Sequence, residues 1–290
     1  MSSVSVRYCQ NNLNNKGILF FNIGKGCILR LIVSIYSLRK YYTGVVGVLL
    51  CEDDECSDIV IEALKPFNVE TYWFKRTLNL KRNTGYTIKP EVLSQSPYGL
   101  TLFCDSDTIF TCSPECLFKV IDENDLILTS YRDWKTTGSR IAKRIKSLRD
   151  ILPPEQIQKS LEYGTAINTG VVGYRRSVLE EFFQEWVETT LKGSGRFIID
   201  EIACQCIAYK YKHKLIETVW NYSCREKNMN DAKIIHYHGR KHARPDRYAS
   251  GFIWLDTLDE LEKTGIVDAD HLKTFAKWDR YVRRYREKNG

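Results

Sequence analysis

The sequence predicts an α/β protein built on a doubly wound, Rossmann-like sheet flanked by helices. Three observations carry this. Apolar runs of strand length alternate with stretches of helical period through the first hundred residues. Several of those runs are apolar throughout, as strands covered on both faces are. They close in Gly, Asn or acidic residues, as the ligand-facing carboxyl ends of such strands do.

Taken in order, KGILFFNIG is a first strand that ends in a turn at Asn22, Ile23 and Gly24. CILRLIVSIYSLRKYY is a helix with Leu31, Ile35 and Leu38 on one stripe. GVVGVLLCEDD is a second buried strand, CSDIVIEALKPF a second helix and VETYWF a third strand. GYTIKPEVL is expected to be helical from near Pro90, because proline favours the first helical turn. GLTLFCDSD is then a fourth strand, entered from the turn-like SQSPYG. The second half is less regular. GSRIAKRIKSLRDIL suits a basic amphipathic helix with Ile141, Ile145 and Leu148 on its apolar face. TAINTGVVGYR reads as a strand, SVLEEFFQEWVETTL and IDEIACQCIAYKY as helices, and the last thirty or so residues as helical. AKIIHYHG reads as a strand with Ile234, His236 and His238 on one face.

A chain of 290 residues buries about three quarters of its extended surface and needs no disulfide staples. The ten cysteines form no even framework, so most are expected to be buried, reduced and structural. The polar N-terminal stretch has no signal-type apolar segment, and Lys25 and Arg30 interrupt the apolar run after it. The expected setting is therefore the cytoplasm, with the protein soluble or peripherally membrane-associated. The formal charge of +7 suits an anionic partner. Residues 271–290 carry seven Lys or Arg against two acids, so the remainder is near neutral, which argues against a whole-surface nucleic-acid binder. This basic, aromatic end segment either meets an anionic membrane surface or packs Phe275, Trp278 and Val282 onto the domain.

The chemistry concentrates in LFCDSDTIF. At strand spacing, Asp105 and Asp107 share a face with Cα atoms about 6 to 7 Å apart, where like charges repel by roughly 2.5 kcal/mol at an effective dielectric near 20. Either a divalent cation occupies the pair or its carboxylates are hydrogen-bonded structurally. If the ligand is a cation, the pair is expected to be poorly satisfied without it. A second Asp-x-Asp, at Asp268 and Asp270, follows a loop and is expected to start a helix. IIHYHGRKH offers imidazoles suited to manganese-like ions, with Arg240, Lys241 and Arg244 for a diphosphate; the other reading is a solvated basic loop.

The order SLR, IKPEVL, LFCDSDTIF, INTGVVGYR, IDE and HYHG resembles the retaining GT-A glycosyltransferases. The likeness is to the glycogenin-like group, glycosyltransferase family 8, and to related plant-type α-glycosyltransferases. It runs from about Gly17 to Lys241. It implies a GT-A fold with two abutting subdomains: residues 1–115 for the nucleotide sugar, residues 116–250 for the acceptor, and residues 251–290 as an added helical segment. It also implies a UDP-sugar donor, with UDP-glucose favoured, a Mn²⁺ or Mg²⁺ ion, and a glycan or other hydroxyl acceptor. By position, Asp105, Asp107 and His236 would hold the ion, with His238 as an alternative ligand. Asn22, Ile23, Gly24 and Lys25 would meet the nucleoside. Ser106, Gly239 and Lys241 would lie along the donor. Lys89, Asn168, Asp200 and Glu201 would surround the reacting sugar.

The sequence departs from the family pattern at three places. Cys27 stands where a tyrosine is usual, His242 where a lysine is usual, and Glu201 where an amide is common. Asp200 and Glu201 also suit a helix N-terminus on charge alone. Retention would follow either from a carboxylate nucleophile, Asp200 or Glu201, or from front-face attack guided by the leaving phosphate. Two other functions share parts of the pattern: nucleotidyl transfer to a sugar phosphate, and non-catalytic binding of an anionic surface.

Overall fold

The computed structural model describes residues 7–8, 12–52, 57–75, 85–133, 142–178, 180–193, 199–238, 242–248 and 250–289. Strands β1 (Arg7–Tyr8), β2 (Asn12–Asn22), β3 (Val46–Cys51), β4 (Glu70–Phe74) and β5 (Tyr98–Cys104) lie in the order β1-β4-β3-β2-β5, all parallel. Three further strands complete an eight-stranded mixed sheet: β8 (Thr165–Arg175) antiparallel to β5, then β7 (Leu126–Asp133), then β9 (His213–Ile216). The sheet therefore runs unbroken from the strands of the first half onto those of the second half. A small second sheet joins β10 (Tyr222–Ser223), β11 (Ile234–His236) and β6 (Thr108–Phe110).

The helices are α1 (Ile28–Arg39), α2 (Ser57–Leu64), α3 (Gly85–Ser94), α4 (Cys116–Asn124), α5 (Pro154–Glu162), α6 (Glu180–Lys192), α7 (Ile199–Ile207), α8 (Ser250–Thr264), α9 (Ala269–Trp278) and α10 (Arg280–Asn289). The fully apolar runs become covered strands: all six residues of β3 are buried. The principal core packs one face of the sheet against α1 and reaches as far as Phe275 and Val282 of the end segment.

Several expectations are corrected. Pro90 lies inside α3, which starts five residues earlier at Gly85. An internal proline costs about 3 kcal/mol, and burial of Ile88, Val92 and Leu93 in two core clusters offsets it. The strand expected through His238 stops at His236. In the basic stretch only residues 142–146 are described as helical, and Ile141 lies outside the described residues. Ile145 and Leu148 of that stretch are buried against Ile199 and Ile202.

Asp268 does cap α9, accepting from the backbone N–H groups of Asp270 and His271. Phe275 and Val282 are buried and Trp278 packs against the same core, so the aromatic residues of the end segment are engaged by the domain. No helix of the described residues is long and apolar enough to cross a membrane. Of the eight described cysteines, five are buried.

Candidate functional site

Strand register assembles the site. The sheet order reverses between β2 and β5, so Asn22 and Asp105 end two adjacent strands at the crevice where such sheets take ligands. The β5–β8 pairing sets Cys104 opposite Val171 and continues through a 2.8 Å bond from Asp105 N–H to the Gly170 carbonyl. That places Asn168, Thr169 and Gly170 beside the Asp-Ser-Asp turn. In the small sheet His236 pairs with Thr108, and the Tyr237 N–H donates to the Asp107 carbonyl at 2.8 Å. That places His236 beside Asp107.

Asp105, Asp107 and His236 converge, each offering one ligand atom, with these atoms all within 4.8 Å of one another. His236 Nε2 lies 3.2 Å from Asp107 Oδ1 and 3.5 Å from Asp105 Oδ2. Two carboxylates and an imidazole form a mixed oxygen and nitrogen donor set, which fits a divalent cation of the Mn²⁺ or Mg²⁺ kind. His238 Nε2 instead bonds Ser223 Oγ at 2.9 Å, and its ring abuts that of His236 at 5.4 Å.

The expectation of a poorly satisfied aspartate pair is overturned, because the chain supplies its own cations. Lys89 Nζ sits 2.9 Å from Asp105 Oδ1 and 3.6 Å from Asp200 Oδ2, and donates to the Thr169 carbonyl at 3.2 Å. Burial would lower the Lys89 pKa, but Asp105 and Asp200 outweigh it, and the ammonium is held charged. Arg30 Nη1 stands 3.7 Å from Asp107 Oδ2, and Arg30 Nε stands 3.5 Å from Asp279 Oδ2. Burial works against an ionised Asp107 as well. The His236 charge and hydrogen bond, with Arg30, hold its carboxyl well below the usual range.

Asp200 and Glu201 lie in the first turn of α7. Asp200 Oδ2 accepts from Thr169 Oγ1 at 3.0 Å, and Glu201 Oε1 accepts from Asn168 Nδ2 at 2.5 Å. Burial raises the Asp200 pKa, reinforced by Asp105 and opposed by Lys89. Burial, then the Asp200 and Asp105 charges, push Glu201 from its ordinary 4.5 to about 8, with Lys89 and Arg144 opposing. At neutral pH Glu201 is therefore mostly the neutral acid.

A carboxyl with a raised folded-state pKa binds more protons folded than unfolded between those two values. Stability then falls as pH rises through that window. Glu201→Gln should match the wild type in melting temperature near pH 5 and exceed it near pH 8.5. Scanning calorimetry at both values checks this, and a pH-independent difference would sink the shift.

The remaining predicted positions divide. Asn22 is buried at the end of β2, and neither amide atom has a partner among the described residues. Gly24 has φ +74°, a left-handed backbone that only glycine adopts readily. Ile23 is partly buried against the cluster of Leu19 and Leu49, and Ser106 is part-exposed between the aspartates. Lys25 Nζ lies 5.9 Å from the Trp278 ring centre, turned to the end segment. Gly239, Arg240 and Lys241 lie outside the described residues. His242, at the expected lysine position, is fully buried with Nε2 2.9 Å from Asp279, so it faces the interior. Sequence reasoning missed Arg30, Thr169 and Asn221. Thr169 lay within a motif already singled out; the other two carry no local signature.

No protein-family model and no curated protein matches the sequence. Solved structures do match in fold. One is the apo form of WbbM, a bifunctional glycosyltransferase, with TM-score 0.63 and 15% identity over 93% of this chain and 53% of that one. The chain thus spans about half the length of WbbM. A second is GlyE, a glycosyltransferase of Streptococcus pneumoniae TIGR4, with TM-score 0.57 and 14% identity over 95% of this chain and 64% of that one. A third is the galactosyltransferase LgtC in complex with donor and acceptor sugar analogues, with TM-score 0.53 and 13% identity over 83% and 94%. The fold is the GT-A fold.

Proposed function

We propose that this chain is a metal-dependent glycosyltransferase. It moves a hexose, glucose in the favoured case, from a UDP-sugar to a hydroxyl of an acceptor glycan with retention of anomeric configuration. The observation that carries the reading is the convergence of Asp105, Asp107 and His236 at the carboxyl end of β5. The GT-A fold and the sequence resemblance supply the reaction class.

When bound, a divalent ion supplies Lewis-acid stabilisation of the charge growing on the leaving diphosphate. The chain's own residues do the rest. Asp105, Asp107 and His236 hold the ion. Asn22, buried with both amide atoms unpartnered among the described residues, offers a donor and an acceptor to the nucleoside. Gly24 lets that loop follow the nucleotide. Lys89 fixes the orientation of Asp105 and Asp200. The sequence resemblance assigns Gly239 and Lys241, which lie outside the described residues, to the diphosphate. Glu201, mostly protonated, donates a hydrogen bond to the sugar or to the incoming hydroxyl, and in that state it is a poor nucleophile. Asp200 is tied to Thr169 and Lys89. Both features favour front-face attack over a covalent intermediate.

Calorimetric titration with a panel of UDP-sugars, with and without Mn²⁺, tests the proposal. Saturable binding of one UDP-sugar with Mn²⁺, abolished by EDTA, is expected. Metal-independent binding, or binding of no UDP-sugar, would overturn it.

A further inference from the structure

Asn221 contacts none of the aspartates, yet the orientation of His236 depends on it. It is buried, ends a short 3₁₀ turn (Thr218–Asn221), and is carried beside His236 by the pairing of Ser223 with His236. Two backbone groups decide which way the local amides point. The Gly170 N–H donates to the Asn168 side chain at 2.9 Å, so the atom there is Oδ1 and Asn168 Nδ2 faces Glu201. The Asn221 side-chain atom that bonds Asn168 Oδ1 at 2.7 Å also reaches the Asn168 carbonyl at 3.3 Å. Both partners only accept, so that atom is the amide nitrogen. Asn221 Oδ1 is then the atom 2.9 Å from His236 Nδ1, and since it only accepts, Nδ1 carries the hydrogen. Nε2 faces Asp105 and Asp107, which also only accept, so without a cation it donates to Asp107 at 3.2 Å.

The ring has no other seat. A Cβ on Gly170 would fall 2.3 Å from His236 Cε1 and 2.4 Å from Nδ1, so the imidazole lies flat against the glycine backbone. His238, at 5.4 Å, flanks the ring.

The geometry points to Asn221 as a positioning residue that keeps a hydrogen on His236 Nδ1 and so makes Nε2, aimed at the aspartate pair, the nitrogen that would give up its proton to ligate a divalent cation. This rests on the metal-site reading above. A partner on the far nitrogen is what orients a ligating histidine, and loss of such a partner lowers metal affinity by about 10- to 100-fold. The same chain of amides runs through Asn168 to Glu201, so it also ties the cation site to the sugar-facing acid.

Two variants separate orientation from mere packing. Asn221→Leu removes the acceptor. Asn221→Asp keeps an acceptor for Nδ1–H but cannot donate to Asn168, so it should lose stability and still hold the tautomer. Long-range ¹H–¹⁵N correlation of the imidazoles at about pH 8.5, with the His236 signal identified by its loss in His236→Gln, reads the tautomer without metal. Titration with Mn²⁺ alone reads affinity. The expected result is a hydrogen on Nδ1 in the wild type and Asn221→Asp, whether or not Nε2 carries one too, and Nε2–H alone or a mixture in Asn221→Leu, with Mn²⁺ affinity about 10- to 100-fold lower in Asn221→Leu only. A wild type with no hydrogen on Nδ1, or a hydrogen held there unchanged in Asn221→Leu, overturns the inference. So do Mn²⁺ affinities that simply follow the melting temperatures of the variants. A wild type with the expected tautomer but no Mn²⁺ binding counts against the metal-site reading and leaves the orienting role of Asn221 standing.

Discussion

Asp107→Asn should lower hexose transfer by about 1,000-fold or more, matching the several kcal/mol that a Lewis-acid ion contributes to stabilising a leaving group. The amide keeps the volume of the side chain and removes its charge. It leaves one anionic ligand where there were two, beside a histidine that cannot replace the lost charge. The fold should survive, because Arg30 keeps Asp279 at 3.5 Å when Asp107 is neutralised. Turnover of a UDP-sugar, Mn²⁺ titration and circular dichroism on the same preparation decide the matter. A folded variant with transfer within tenfold of the wild type would remove Asp107 from the site.

Lys89→Met should be the most destabilising single change near the site, by about 3 to 5 kcal/mol, the usual loss when one partner of a buried ion pair is removed. Methionine fills nearly the same space along Phe103, but it leaves Asp105 and Asp200 without the cation at 2.9 and 3.6 Å. The two carboxylates then face each other in a buried setting, and protonation becomes their only relief. The pKa of Asp200, already raised by burial, rises further without Lys89, so the variant should recover stability as pH falls and lose most at high pH. Denaturant unfolding in EDTA near pH 8 and near pH 5 reads both effects. A loss below about 1 kcal/mol at the higher pH would show that Lys89 is not the counter-charge that the geometry makes it.

Much of the scaffold was legible because local signals agreed with the fold. β3 and β5 are apolar runs punctuated by acids, and α1 carries a helical stripe. α4 and β7 were missed for a physical reason. They meet at Asp125, which takes φ 61° itself, so no glycine or proline marks the break between Asn124 and Leu126. β9 is four residues long and has a partner only because β7 is there.

The site divides along the same line. By itself the sequence determined that two aspartates end a buried strand, that a histidine follows late in the chain, and that Asn-Thr-Gly lies in another strand, although the turn expected at its glycine is absent and β8 runs unbroken from Thr165 to Arg175. Those are properties of neighbouring residues, where alternation and spacing suffice. Only the tertiary structure decided what offsets the aspartates' charge and what aims the histidine. Lys89 comes from α3 and Arg30 from α1, while Asn221 reaches His236 through the pairing of β10 with β11. Each of these acts across a sheet register or a helix packing. A charge or amide in a sequence reads as solvated until burial removes the water and leaves it one partner.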